Sequence, residues 1–136
     1  MANPRRHWYN VCQGLKFVQS TPLRFHGYLN SFINLIIDEH FTLKLARAGT
    51  LQMISALCVG QHKPIPIPVV GSLWVAPELI TGVEINPDAL EESGGPACDI
   101  YSLGIILYEM GSRDTPYGTD MTSPEDIMGQ RLYSVH

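Results

Sequence analysis

A mostly α fold with one small β-hairpin and long loops follows from three features of this sequence. These are an apolar stretch at Asp99–Met110, an amphipathic stretch at His7–Ser20, and a short alternating pair between Leu35 and Leu45. Ile100, Leu103, Ile105, Ile106, Leu107 and Met110 spread round the whole cylinder at a period of about 3.6 residues. A helix apolar on every side is a buried helix, and this one is far shorter than the roughly 20 apolar residues that cross a bilayer. The expectation is a central core helix with Asp99 at its N-terminal end, where a carboxylate suits the orphan N–H groups and the dipole.

The other elements follow in chain order. Trp8, Val11, Cys12, Leu15 and Val18 recur at helical spacing, with Gly14 as a weak spot and Thr21-Pro22 as the stop. Phe25 to Asn34 is a loop, Leu35-Ile36-Ile37 a short strand, Asp38-Glu39-His40 a turn, and Phe41 to Leu45 an alternating strand. From Thr50 to Ser72 little regular structure is expected, and Lys63-Pro64-Ile65-Pro66-Ile67-Pro68 should be extended and polyproline-like. Such a proline repeat also suits a ligand for a partner domain. Val83 to Ala97 reads as a loop, as does Gly111 to Thr122. Ser123-Pro124-Glu125-Asp126 then starts a helix, with Ser as N-cap and Pro at the first position.

At 136 residues, 45% hydrophobic and 16% charged, the chain is one domain's worth of globular protein. Its net charge of −4 is mild and its basic residues are scattered apart from Arg5-Arg6, so nothing favours nucleic acid. Charged or polar residues interrupt every apolar run, and no apolar region follows the N-terminus, so neither a membrane segment nor a signal peptide is expected. Cys12, Cys58 and Cys98 form no C-x-x-C pair, which favours reduced, buried thiols in a cytosolic setting. No ligand spacing supports a metal site, and His7, His40, His62 and His136 are expected at the surface.

Two motifs carry a resemblance. Asp99-Ile-Tyr-Ser-Leu-Gly104-Ile-Ile-Leu-Tyr-Glu-Met110 is similar to the buried central helix of a protein-kinase C-lobe. Upstream, Leu73-Trp74-Val75-Ala76-Pro77-Glu78-Leu79 resembles the Ala-Pro-Glu signature that closes a kinase activation segment. The fold this implies is an incomplete protein-kinase-like C-lobe over residues 1–136, with an activation-segment-like loop at about 47–78. In that frame the loop motif His-Arg-Asp-Leu-x-x-x-Asn reads His26-Gly27-Tyr28-Leu29-Asn30-Ser31-Phe32-Ile33-Asn34, with one extra residue before Asn34. Tyr28 then stands at the proton-acceptor position, where a phenol with a pKa near 10 is a poor base. Asp-Phe-Gly becomes Arg47-Ala48-Gly49, a permanent cation where a magnesium-binding carboxylate belongs. Charges ~4 Å apart interact by about 4 kcal/mol at an effective dielectric of about 20, so reversing that sign opposes magnesium. No Gly-rich loop and no Val-Ala-x-Lys strand occur. The implied catalytic set is empty; Asn34 and Arg47 are left as weak nucleotide contacts, Arg47 through a phosphate, with no metal.

The resemblance narrows further on His26-Gly27-x-Leu29, Leu73-Trp74-x-Ala76-Pro77-Glu78-Leu79, Ser123-Pro124-x-Asp126-Ile127 and Gly14-Leu15-Lys16-Phe17. Together these resemble the kinase-homology domain of receptor-type (nematode-like) guanylate cyclases. That implies a regulatory pseudokinase lobe relaying receptor state to a cyclase domain outside this chain, whose substrate would be GTP, with ATP as the nucleotide a full-length parent binds. The implied partners are a kinase N-lobe, the cyclase domain and a second copy of the parent, on the cytoplasmic side of the plasma membrane; alone, the chain would be cytosolic. A segment cut at both ends is expected, with Glu78 lacking its usual Arg partner and Arg131 coming too early to serve. The structural roles expected fall on His26, Gly27, Leu29, Gly49, Ala76, Pro77, Glu78, Asp99 and Gly104, with Asp99 bonding the backbone near His26 and Gly27. A pseudokinase scaffold unrelated to a cyclase and a fragment of an active kinase are the alternatives.

Overall fold

In the computed structural model, residues 4–31, 33–57, 65–66, 73–81, 84–85 and 95–117 are described. Helix α1 runs Pro4–Ser20. Its buried stripe is His7, Val11, Leu15 and Val18, spaced at three and four residues so that one face meets the core. Trp8 (37% exposed) and Cys12 lie outside that stripe, whereas His7, expected at the surface, is 7% exposed. The helix is turned slightly from the expected face because the period alone leaves residues at the stripe's edge undecided. Pro22 prevents its continuation, and the Thr21 hydroxyl donates to the Val18 carbonyl at 2.6 Å.

Strands β1 (Leu35–Ile37) and β2 (Leu43–Leu45) form an antiparallel hairpin in the register Leu35↔Leu45, Ile36↔Lys44, Ile37↔Leu43. Asp38 organises its turn. Its Oδ1 accepts from the N–H groups of His40 (3.0 Å) and Thr42 (2.8 Å), and its Oδ2 meets Lys44 Nζ at 2.9 Å. The Lys44 hydrogen bond, followed by the Thr42 N–H, holds this carboxyl down at about 2. The expected loop after residue 49 is corrected at its start: Thr50–Leu57 is a helix, α2. Leu51 and Ile54 give it an apolar edge that packs on the core, and that burial offsets the ordering cost of so short a helix.

The proline repeat is corrected in part as well. Ile65–Pro66 is a strand, β3, in a three-stranded sheet ordered β3-β5-β4 with β4 Ile80–Thr81 and β5 Glu84–Ile85. Pro66 stands in an outer strand, where a missing N–H is tolerated. Pro77–Leu79 makes a turn of 3-10 helix just before β4. The rest of the repeat and the expected helix start at Ser123 lie outside the described residues.

Helix α3 runs Gly95–Ser112, starting four residues before Asp99. It is not buried on every side: Gly95, Cys98, Asp99, Ser102 and Ile106 form the buried stripe, while Ile100 and Tyr108 are each 56% exposed. Among the described residues its neighbours lie on one side, so apolarity all round did not translate into burial all round. Two clusters pack against it. Leu15, Leu29, Trp74 and Ile106 form one; Leu51, Val75, Ala76, Leu79 and Cys98 form the other. Trp74 Nε1 donates to Glu109 Oε2 at 2.7 Å, and the Ser102 hydroxyl donates to the Trp74 carbonyl at 2.7 Å, tying residues 73–79 to α3. No described helix is long and apolar enough to cross a membrane.

The start of α3 depends on a close approach. A Cβ on Gly95 would lie 2.4 Å from the Phe25 ring, so Gly95→Ala must displace an aromatic packed on the core. Thermal unfolding should show Gly95→Ala destabilised by about 1–3 kcal/mol, as overpacking generally costs; an unchanged Tm would remove this contact from the fold.

Candidate functional site

The loop at 25–34 lies between α1 and β1, and three other elements close on it. From α3, Asp99 is 1% exposed and its Oδ2 accepts from the His26 N–H at 2.6 Å while its Oδ1 accepts from the Gly27 N–H at 2.9 Å. From the end of β2, the Ala46 carbonyl meets His26 Nε2 at 2.9 Å. From α2, Gln52 Nε2 donates to the Phe25 carbonyl at 2.9 Å. Asp99 is thus inside the helix rather than at its N-cap, and it serves a neighbouring loop's orphan donors.

His26 is fully buried. Its Nε2 faces a carbonyl, so the proton sits there, and Nδ1 accepts from the Tyr28 N–H at 3.4 Å. A second proton would have to face that N–H. Burial pushes the imidazole below its ordinary value, against the Ala46 carbonyl and then Asp99, which both raise it. Burial likewise pushes the Asp99 carboxyl up, opposed by its two N–H donors and by His26.

The positions compared with catalytic residues show what the site offers. Tyr28 packs against the Leu51–Cys98 cluster; its hydroxyl is buried without a hydrogen-bond partner among the described residues, and burial raises its pKa further. Asn34 is 1% exposed; its Nδ2 donates to the Tyr28 carbonyl, and its Oδ1 is buried and unpartnered among the described residues. Arg47 is exposed, with φ at 62°, and its carbonyl accepts from the Thr50 hydroxyl at 2.8 Å at the start of α2. The structure therefore brings Asn34 to Tyr28, and among the described residues it pairs no carboxylate with Arg47. Among the described residues no group of three or more His, Cys, Asp or Glu side chains is placed to hold a metal ion. Tyr28, Asn34 and Arg47 include no carboxylate for magnesium: Asn34 Oδ1 is enclosed, and Arg47 is a cation.

The remaining motif residues divide. Leu29 (1%) and Ala76 (1%) are core. Gly49, at φ 80°, has its N–H on the His26 carbonyl at 3.2 Å. Pro77 and Glu78 are exposed, so no buried, unpartnered charge arises at Glu78, whose Oε1 lies 3.7 Å from Cys98 Sγ. Arg131 lies outside the described residues. Gly104 is exposed, and a Cβ there would touch nothing, so no packing in the described structure calls for glycine. Asn30 and Gln52 went unread in the sequence. Asn30 Oδ1 accepts from the Ile33 N–H at 2.9 Å, a local turn that Asn favours and that the motif spacing obscured. Gln52 had no local signal, because its role needs α2 folded back on the loop.

Two outcomes follow. Asp99→Ala leaves two buried N–H donors without an acceptor and should cost about 2–5 kcal/mol, lowering Tm by about 8–20 °C on the usual scaling; a Tm within 2 °C of wild type, roughly half a kcal/mol on that scale, would contradict the assignment. For His26, the unfolded chain binds a proton near pH 6.5 that the folded chain binds only at lower pH. Stability therefore falls as pH drops below 6.5 towards the folded value. Asp99 has the opposite sign, favouring the fold as pH falls towards and below its raised value. Melts at pH 7 and about pH 5.5 should show a loss on acidification that is smaller in His26→Gln; an equal loss in both would assign it elsewhere.

No protein-family model matches the chain, and no solved structure does. Curated relatives do. The chain is 38% identical to rat retinal guanylyl cyclase 1 over 125 residues, 92% of this chain and 10% of that protein. It is 33% identical to human atrial natriuretic peptide receptor 2 over 132 residues, 91% of this chain and 12% of the receptor. With mouse guanylate cyclase D it shares 33% over 120 residues, 88% of this chain and 10% of that protein. The chain thus spans about a tenth of the length of these relatives. Matched along nearly its whole length by three such proteins, this chain belongs, as a partial segment, to the receptor guanylyl cyclases.

Proposed function

We propose that this segment is a non-catalytic kinase-homology lobe of a receptor guanylate cyclase. It relays receptor state to cGMP synthesis by a cyclase domain outside these 136 residues, for which GTP is the substrate. The observation that carries the non-catalytic reading is Tyr28: where a kinase needs a proton acceptor there is a buried phenol whose pKa is raised, not lowered. Arg47 supports it by placing positive charge where metal would be held. The named relatives support the cyclase half. In this reading the lobe works through contacts rather than chemistry. Ile36 (53% exposed), Ile37 (56%) and Phe41 (66%) on the hairpin suit burial against an N-lobe of the parent. A homodimeric parent with this lobe on the cytoplasmic side of the plasma membrane completes the proposal. Any ATP held by that parent would rely on groups from outside this chain.

Two measurements test it. Purified chain with ATP and magnesium should transfer no phosphate to any peptide; transfer that disappears in Asn34→Ala would make it a kinase. An antibody to the Leu73–Gly82 segment should detect a much larger, membrane-associated polypeptide yielding cyclase peptides. A larger polypeptide without cyclase peptides would favour the unrelated pseudokinase scaffold.

A further inference from the structure

Helix α2 is seated on the loop at residues 25–28 by a contact that contains no charge. Gln52 Nε2 donates to the Phe25 carbonyl, 2.9 Å away, and Gln52 Oε1 is buried without a hydrogen-bond partner among the described residues. The Gln52 amide lies over Gly27: a Cβ at residue 27 would stand 2.9 Å from Oε1, 3.0 Å from Nε2 and 3.1 Å from Cδ. Gly27 is also at φ 84°, a conformation that side chains rarely adopt. Only glycine both makes the turn and leaves room for the amide. Next to it, the Gly49 N–H reaches the His26 carbonyl at 3.2 Å. On its other edge, Leu51 (4% exposed) packs with Val75, Ala76 and Leu79. Helix α2 therefore joins the loop to the segment at 75–79.

Residue 27 is the position at which the kinase loop motif carries arginine. Kinases order the segment that follows by pairing arginine with a phosphorylated side chain. A glycine offers no such partner, and the space beside it is filled by a neutral amide. We infer that Gln52 is a positioning residue, a permanent clasp that holds α2 on the 25–28 loop and makes the order of this segment independent of phosphorylation. The clasp deepens the kinase-homology reading, on which the comparison with kinases rests, but the contact itself stands on geometry alone.

Hydrogen exchange of the full 136-residue chain, made in bacteria and shown by mass to be unphosphorylated, tests both halves. Amides at 49–57 should be protected in the wild type. Gln52→Glu keeps the shape and removes the donor, and should raise exchange at 49–57 and 25–28 about tenfold, the usual worth of one net hydrogen bond, while 11–18 in α1 is unchanged. Should the buried carboxylate unfold the chain, seen as lost protection at 11–18, Gln52→Met removes the donor without adding charge and decides instead. Unprotected wild-type 49–57, with α1 protected, would overturn the independence from phosphorylation. Unchanged exchange in the donor-less variant would overturn the clasp. Neither readout depends on a cyclase, so a failed clasp and a failed assignment to a receptor cyclase are distinguishable.

Discussion

One buried carboxylate holds this structure in register. Asp99 accepts two consecutive backbone N–H groups, from His26 and Gly27, and so converts a loop without secondary structure into a fixed part of the core. An unpaired N–H in such a place would cost more than a hydrogen bond normally contributes, which makes the loop and the helix α3 dependent on one another. The neighbouring contacts presuppose that placement. His26 keeps a neutral tautomer because a carbonyl meets one nitrogen and an N–H meets the other. Its own carbonyl then receives Gly49, which begins the turn into α2.

Helix α3 distributes these ties along one face. Asp99 takes the loop, Ser102 takes the Trp74 carbonyl, and Glu109 takes the Trp74 indole, with Ile106 fully buried between them. Polar anchors and apolar packing alternate down a single stripe, so sliding or rotating the helix would break several contacts together. The opposite face, with Ile100 and Tyr108, carries none of these ties among the described residues.

The chemistry of the loop follows from the same packing. Tyr28, Asn34 and Arg47 each take a different place in it. Tyr28 gives its ring to the core, Asn34 gives its amide to the Tyr28 carbonyl, and Arg47 faces solvent. This loop is held by the Asp99 and Gln52 side chains and by the Ala46 carbonyl, which suits the proposed role of an element that transmits a conformation. Asp99 and His26, both ionisable and both buried, contribute geometry, and their titrations register as stability.

By itself the sequence indicated two of the helices, the hairpin, and which residue types stand at the positions compared with kinase catalytic residues. The stripe of α1, the apolar run of α3 and the alternation of the hairpin at 35–45 are patterns of neighbouring residues, and such patterns are a local property. Tyr28 and Arg47 announce their consequences by residue type alone, since a phenol and a guanidinium carry their pKa values into any fold. Tertiary structure decided the rest. Residues 50–57 are helical because Leu51 finds a core, a partner that no window around residue 50 contains. His7 is buried and Ile100 exposed because burial depends on what packs opposite, not on hydropathy. Gln52 over Gly27, and Asp99 beneath it, are meetings of residues far apart in the chain, and only the second was expected, from the resemblance rather than from any local pattern. Their spacing leaves no trace in the sequence, because the backbone groups they satisfy are the same at every position.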